Sequence, residues 1–97
     1  MSNLINSQTQ LDSNIQTLNL KAYIGLSFER LALEPFNIDK MVNDVLNEFP
    51  KLTDDDFKKA IRNGSLGKYG RTFKLSTQEV CIWVREYLKE KQSKLGI

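Results

Sequence analysis

Apolar residues recur at helical spacing in several stretches of this chain, and residues that stop helices separate most of them. The cleanest pattern spans 38–49, where Ile38, Met41, Val42, Val45, Leu46 and Phe49 fall at i, i+3, i+4, i+7, i+8 and i+11. Such a set covers one stripe of an α-helix. Asn37 stands where an N-cap belongs, and Pro50 sets the stop. That stripe reads as core before it reads as a groove for a partner. Upstream, residues 20–33 place Leu20, Ile24, Phe28 and Leu31 on one line, widened by Tyr23 and Leu26. Gly25 weakens this helix by about 1 kcal/mol relative to Ala and leaves room for another helix to approach. The pair Glu34-Pro35 ends it, since a residue before proline is pushed away from helical angles.

Two further helices carry explicit start signals. Thr53 is a candidate N-cap with Asp56 at N3, and Leu52 and Phe57 are placed to form a hydrophobic staple. Asp54, Asp55 and Asp56 lie at the positive end of this helix dipole, and Lys58, Lys59 and Arg62 lie towards the negative end. First-turn capping accounts for the triple Asp better than a metal cluster does. Asn63-Gly64 predicts the stop, with Gly64 as the C′ residue. Ser76 with Glu79 forms a second capping box. The helix after it, about 77–92, puts Val80, Val84, Tyr87 and Leu88 on one stripe, with Cys81 and Trp83 beside it.

Between these helices, residues 64–75 carry Gly64, Gly67 and Gly70 and are too long for a simple helix-turn-helix turn. Tyr69, Arg71, Phe73 and Leu75 alternate with Lys68, Gly70, Thr72 and Lys74. The alternation fits either a short extended wing with its aromatics turned inward or an ordered loop.

The first twenty residues differ from the rest: twelve are Asn, Gln, Ser or Thr, as in a frayed tail. Yet Leu4, Leu11 and Leu18 take the d position of a heptad, and Gln8, Ile15 and Ala22 take a. This predicts an amphipathic helix that needs a partner surface, either its own domain or another subunit. Leu4, Leu11, Ile15 and Leu18 are its candidate oligomerisation residues. The expected fold class is all-α: a small bundle of four or five helices with an irregular Gly/basic loop before the last. It reads as a single domain over 1–97, with a polar arm (1–19), a helical core (20–92) and a frayed tail (93–97).

Composition narrows the function classes. The 97 residues are 40% hydrophobic and 27% charged, ordinary values for one folded domain. There is one cysteine and no histidine, so no intrachain disulfide and no Cys/His metal site can form. Nucleophile systems that rely on His are excluded as well. Cys81 lies in an apolar helical run and reads as a small buried hydrophobe. The expectation is a non-enzymatic protein without cofactor, metal or small-molecule substrate. No signal sequence or membrane span is visible, which suggests a cytoplasmic protein without a membrane partner.

Charge changes the picture more. The net charge is +2, but residues 57–78 hold six basic residues and no acid, while residues 29–56 hold eight acids and three bases. A basic block can be a footprint for phosphate, a solubilising face, or a partner for the acidic middle of the same chain. The spacing Gly64-x-x-Gly67-x-x-Gly70 is neither a Walker A loop nor a dinucleotide fingerprint, because it follows a helix and lacks Gly-Lys-Ser/Thr. Exposed loop amides and the oriented amides at a helix start could nevertheless hold backbone phosphates. The candidate nucleic-acid contacts are Lys58, Lys59, Arg62, Lys68, Arg71 and Lys74 for phosphate, Thr77 and Gln78 for phosphates or base edges, and Tyr69 for stacking.

The segment with Ala60, Ile61, Gly64, Gly67, Tyr69, Gly70, Trp83 and Tyr87 resembles small proteins of bacteriophages and mobile elements from Bacteroides-like hosts. Those proteins pair a similar glycine-tyrosine stretch with a Trp-x-x-x-Tyr helix. The resemblance covers residues 60–88 and implies a replication-accessory or helicase-loading setting. The leading expectation is therefore a nucleic-acid-associated protein. A protein–protein adaptor or inhibitor facing an acidic partner, and a self-assembling subunit using residues 4–22, are the alternatives.

Overall fold

A computed structural model describes residues 2–94, with side chains over 15–93. It contains four helices: α1 (Ser2–Arg30), α2 (Ile38–Glu48), α3 (Asp54–Ser65) and α4 (Thr77–Lys94). No strand occurs among the described residues. Of the two forms open to residues 64–75, turns and bends are what the chain adopts, not a paired wing. The polar arm and the first core helix are one continuous element, because nothing around residues 19–20 stops a helix. α4 likewise runs two residues past the expected end at 92, into the segment read as a frayed tail. Residues 95–97 lie outside the described residues.

The helices pack as a ring. α1 packs on α2 and α3, and α4 packs on the same two. Consecutive helices α2 and α3 therefore lie diagonally across the bundle. The core is drawn from every wall: Leu20, Ile24 and Phe28; Met41, Val42 and Val45; Phe57, Ala60 and Ile61; Val80, Trp83 and Val84. Cys81 is buried at its edge, and burial pushes its thiol up, away from a reactive thiolate.

Caps confirm some signals and correct others. The Thr53 hydroxyl accepts the Asp56 N–H at 3.1 Å, and the Ser76 hydroxyl accepts the Glu79 N–H at 3.4 Å. Asn37 precedes α2 in the left-handed region, φ 53°, with no side-chain cap. α1 ends at Arg30, ahead of Pro35, through a Schellman motif. The N–H groups of Ala32 and Leu33 bond to Glu29 and Phe28 carbonyls. The end of α3 is displaced from the expected Gly64. Gly67, at φ 87°, is the C′ residue, and Gly67 and Lys68 donate to Gly64 and Asn63. Gly64 stays inside the helix for a different reason: a Cβ there would overlap the Trp83 ring.

The triple Asp has three separate structural uses. Asp54 accepts the Tyr23 hydroxyl of α1 at 2.7 Å, and Asp55 pairs with Lys59 at 2.9 Å. Asp56 accepts Tyr87 of α4 at 2.9 Å and Lys91 at 3.0 Å. The start of α3 is thus tied to both flanking helices.

All three tyrosines donate to carboxylates, the third being Tyr69 to Glu90 at 2.7 Å. Burial leads and the carboxylates add to it, pushing each phenol up to about 12, although at Tyr69 the Asn63 hydrogen bond works against the rise. A raised phenol favours the fold only while protonated, so the unfolded chain, ionising near pH 10, is preferred increasingly above that pH. Stability should fall from about pH 10 upward. Phenolate absorbance should appear together with the loss of far-UV helix signal, not before it. Ionisation of the tyrosines at about pH 10 in a fully helical protein would contradict these contacts.

Candidate nucleic-acid interface

The nine sequence candidates do not form one surface. Lys59 is paired with Asp55, and Lys68 with Glu90 at 2.9 Å. Both line a groove between α3 and α4 that also holds Asn63, Tyr87 and Lys91, with Lys91 itself paired to Asp56. Every lysine of this groove faces a carboxylate of the same chain, so its field at phosphate distance is largely cancelled. Lys58 and Arg62 are exposed on α3 and make no ion pair among the described residues.

Tyr69 is not available for base stacking. Its hydroxyl donates to Glu90 and accepts from Asn63 Nδ2 at 3.2 Å, and its ring packs against the core. Breaking these contacts to free the ring would leave a half-buried carboxylate short of a donor.

The remaining candidates gather elsewhere. Lys74, Thr77 and Gln78 line a second groove, about 420 Å³, between the α1–α2 connection and the start of α4. Phe36 and Lys40 form its opposite wall. Phe36 is 68% exposed, and Phe73, beside Lys74 in sequence, is 77% exposed. The Arg71 guanidinium lies 5.4 Å from the Phe73 ring centroid, a cation–π arrangement that keeps both at the surface. Lys40, Arg71 and Lys74 make no ion pair among the described residues.

The local chain explains this placement. Gly67 and Gly70, both at positive φ, turn the backbone so that Tyr69 and Leu75 face inward. The intervening segment forms no strand and bends at residues 73–74, and the period-two alternation fails there. Phe73, expected inward, stands in solvent with Arg71. At the α4 start the Ser76 hydroxyl takes the Glu79 N–H, while the Thr77 and Gln78 amides, ahead of it in the first turn, have no intrahelical acceptor. One acid interrupts the surface: Asp44 lines the groove and accepts the Thr77 hydroxyl at 3.5 Å.

Phe36, Lys40 and Phe73 are the residues sequence reasoning missed. Phe36 carried a usable signal: it follows Pro35 and precedes α2, outside every apolar stripe. An aromatic that no helix face claims is a candidate for the surface. Among the described residues no helix is long and apolar enough to cross a membrane. No family model, curated protein or solved structure matches this chain. The resemblance over residues 60–88 therefore rests on those residues alone.

Proposed function

We propose that this chain is a non-enzymatic nucleic-acid-associated protein that holds a single strand along the groove at the start of α4. Lys40, Arg71 and Lys74 neutralise phosphates, the amides of Thr77 and Gln78 receive one more, and Phe36 and Phe73 stack on bases. The observation that carries this reading is that the exposed Phe36 shares a groove with Lys40 and Lys74, while the exposed Phe73, next to Lys74 in sequence, lies under Arg71, and none of these cations makes an ion pair among the described residues. Single-strand binders combine those two elements: cations that follow the backbone and ring faces that accept any base. Lys58, Lys59, Arg62 and Lys68 are secondary, since two of them are internally paired. A replication-accessory setting is consistent with this contact set and depends on it.

Fluorescence anisotropy with single- and double-stranded oligonucleotides, titrated against salt, tests the reading. Three phosphate contacts on a single strand should give a log–log salt slope of about −2. Arg71→Ala/Lys74→Ala should flatten that slope by roughly 1.4. Phe36→Ala/Phe73→Ala should weaken binding by about 1–3 kcal/mol per lost stack while leaving the slope in place. A wild-type chain that binds neither oligonucleotide at low salt rules the proposal out.

A further inference from the structure

The exposed face of α1 carries large apolar side chains from Ile15 to Leu26, before Glu29 and Arg30 close the helix. Leu20, Ile24, Ser27 and Phe28 point into the bundle. On the other side, Ile15 is 49% exposed, Leu18 62% and Leu26 45%, with Ala22 exposed between them. A Cβ added at Gly25 would meet nothing within 4 Å, so this stretch of the face is open. Ile15, Leu18, Ala22 and Gly25 hold consecutive a and d positions, and Leu26 is the adjoining e. In sequence the same register continues upstream through Leu4, Gln8 and Leu11. A surface helix of a monomer ordinarily shows solvent a charged side. Here the outward side from Ile15 to Leu26 is uncharged and follows a heptad spacing.

We infer that a second copy of this chain packs along this face of α1, making a two-stranded coiled-coil dimer. Three observations favour a second copy over an unlike partner. The first is length. The 29 residues of α1 rise about 43 Å, whereas the 11 and 12 residues of α2 and α3 rise about 17 Å each. The bundle cannot flank α1 from end to end, and a second α1 is an element of matching length. The second is charge. Residues 1–28 contain only Asp12 and Lys21, and Lys21 is paired with Asp39 at 2.7 Å. From Leu4 to Leu26 two identical seams meet with no charge at any a or d position, the charged pair Glu29 and Arg30 being exposed only at the last turn of α1, and nothing between those ends selects an oppositely charged partner. The third is area. An interface of ordinary size takes about 800 Å² per partner. From Ile15 to Leu26 the seam rises only about 18 Å, which is short for that, and taken from Leu4 it rises about 35 Å. A Gln at one a position is the kind of polar insert that fixes register at some cost in stability.

The test is sedimentation equilibrium of the full chain without nucleic acid, over a concentration series, for wild type and Ile15→Asp/Leu18→Asp. Wild type should approach twice the 11.2 kDa chain mass. The variant places like charges across the seam and should dissociate at least about 100-fold more readily. Its Trp83 emission should be unchanged, because Trp83 is 1% exposed and sits on α4, which does not pack against α1. If that emission shifts to red, Ile15→Ser/Leu18→Ser replaces the charged pair. A wild type that stays at monomer mass throughout overturns the inference. So does a folded variant that keeps the dimer mass. The substituted residues lie outside the candidate nucleic-acid interface, so failure here leaves that reading standing.

Discussion

Gly64→Ala should cost this domain about 3 kcal/mol or more, making it one of the most damaging single-methyl additions in the chain. Gly64 lies inside α3, where Ala would ordinarily gain about 1 kcal/mol over Gly. The structure reverses that sign. The new methyl would sit within the ring of Trp83, which is 1% exposed and held between α3 and α4. Neither a backbone inside a helix nor a rigid indole in a packed core yields cheaply. Overpacking typically costs 1–3 kcal/mol, and this overlap is deep enough for the upper end or beyond. For a chain of this size such a loss lowers Tm by roughly 12–20 °C. Thermal unfolding followed by circular dichroism measures it directly. The cause is separable by a double-mutant cycle. Trp83→Leu alone should destabilise by about 2–4 kcal/mol through the cavity it leaves. Combined with Gly64→Ala, the cost should fall well below the sum, because the smaller side chain makes room for the methyl. Additive costs would mean that the ring is not what excludes a side chain at Gly64.

Gly64 also shows where sequence reading stops. A glycine after a basic helical turn looks the same whether it caps a helix or lets an indole approach the backbone. The choice depends on Trp83, nineteen residues away. Features fixed within a few residues were legible: the α2 stripe, the Thr53 and Ser76 caps, and the all-α class. The basic block was legible as composition but not as a surface. Its charges were assigned to one site because they are consecutive. Folding brings Asp55 and Glu90 against two of them and leaves Lys74 and Arg71 beside Phe73. The period-two pattern over 69–75 misled for a related reason. Alternation sorts side chains only along a continuous extended strand, and Gly70 at positive φ together with the bend at 73–74 interrupts it. The N-terminal register was readable as a heptad. What the structure adds is that Ile15 and Leu18 are not absorbed by the domain's own core. The candidate oligomerisation residues Leu4 and Leu11 lie outside the residues whose side chains are described.

Asp56→Ala should destabilise the fold by about 2–4 kcal/mol at neutral pH, and the loss should shrink in acid. Asp56 is 7% exposed at the start of α3, and its carboxylate accepts from Tyr87 and Lys91. Burial alone would raise its pKa. The hydrogen bonds from Lys91, Tyr87 and Thr53, with the Lys91 charge, outweigh burial and hold it below the usual carboxylate range. A hydrogen bond to a charged acceptor contributes about 1.5–3 kcal/mol, and the substitution also strands the Tyr87 hydroxyl. Lys91 is half in water, so Lys91→Ala should cost no more than about 1 kcal/mol. Tyr87→Phe should fall between the two. The sign of the pH dependence follows from the depressed carboxyl. Its contribution is fully present above the unfolded value, about 3.9, and is lost as pH falls through the folded value. Urea unfolding of wild type and Asp56→Asn at neutral pH and near pH 3 isolates this group, because the other carboxylates titrate in both proteins. The stability gap should be widest at neutral pH and narrow in acid. A gap that is constant with pH would mean that the carboxylate charge contributes nothing, and that Asp56 acts only as a polar filler between α3 and α4.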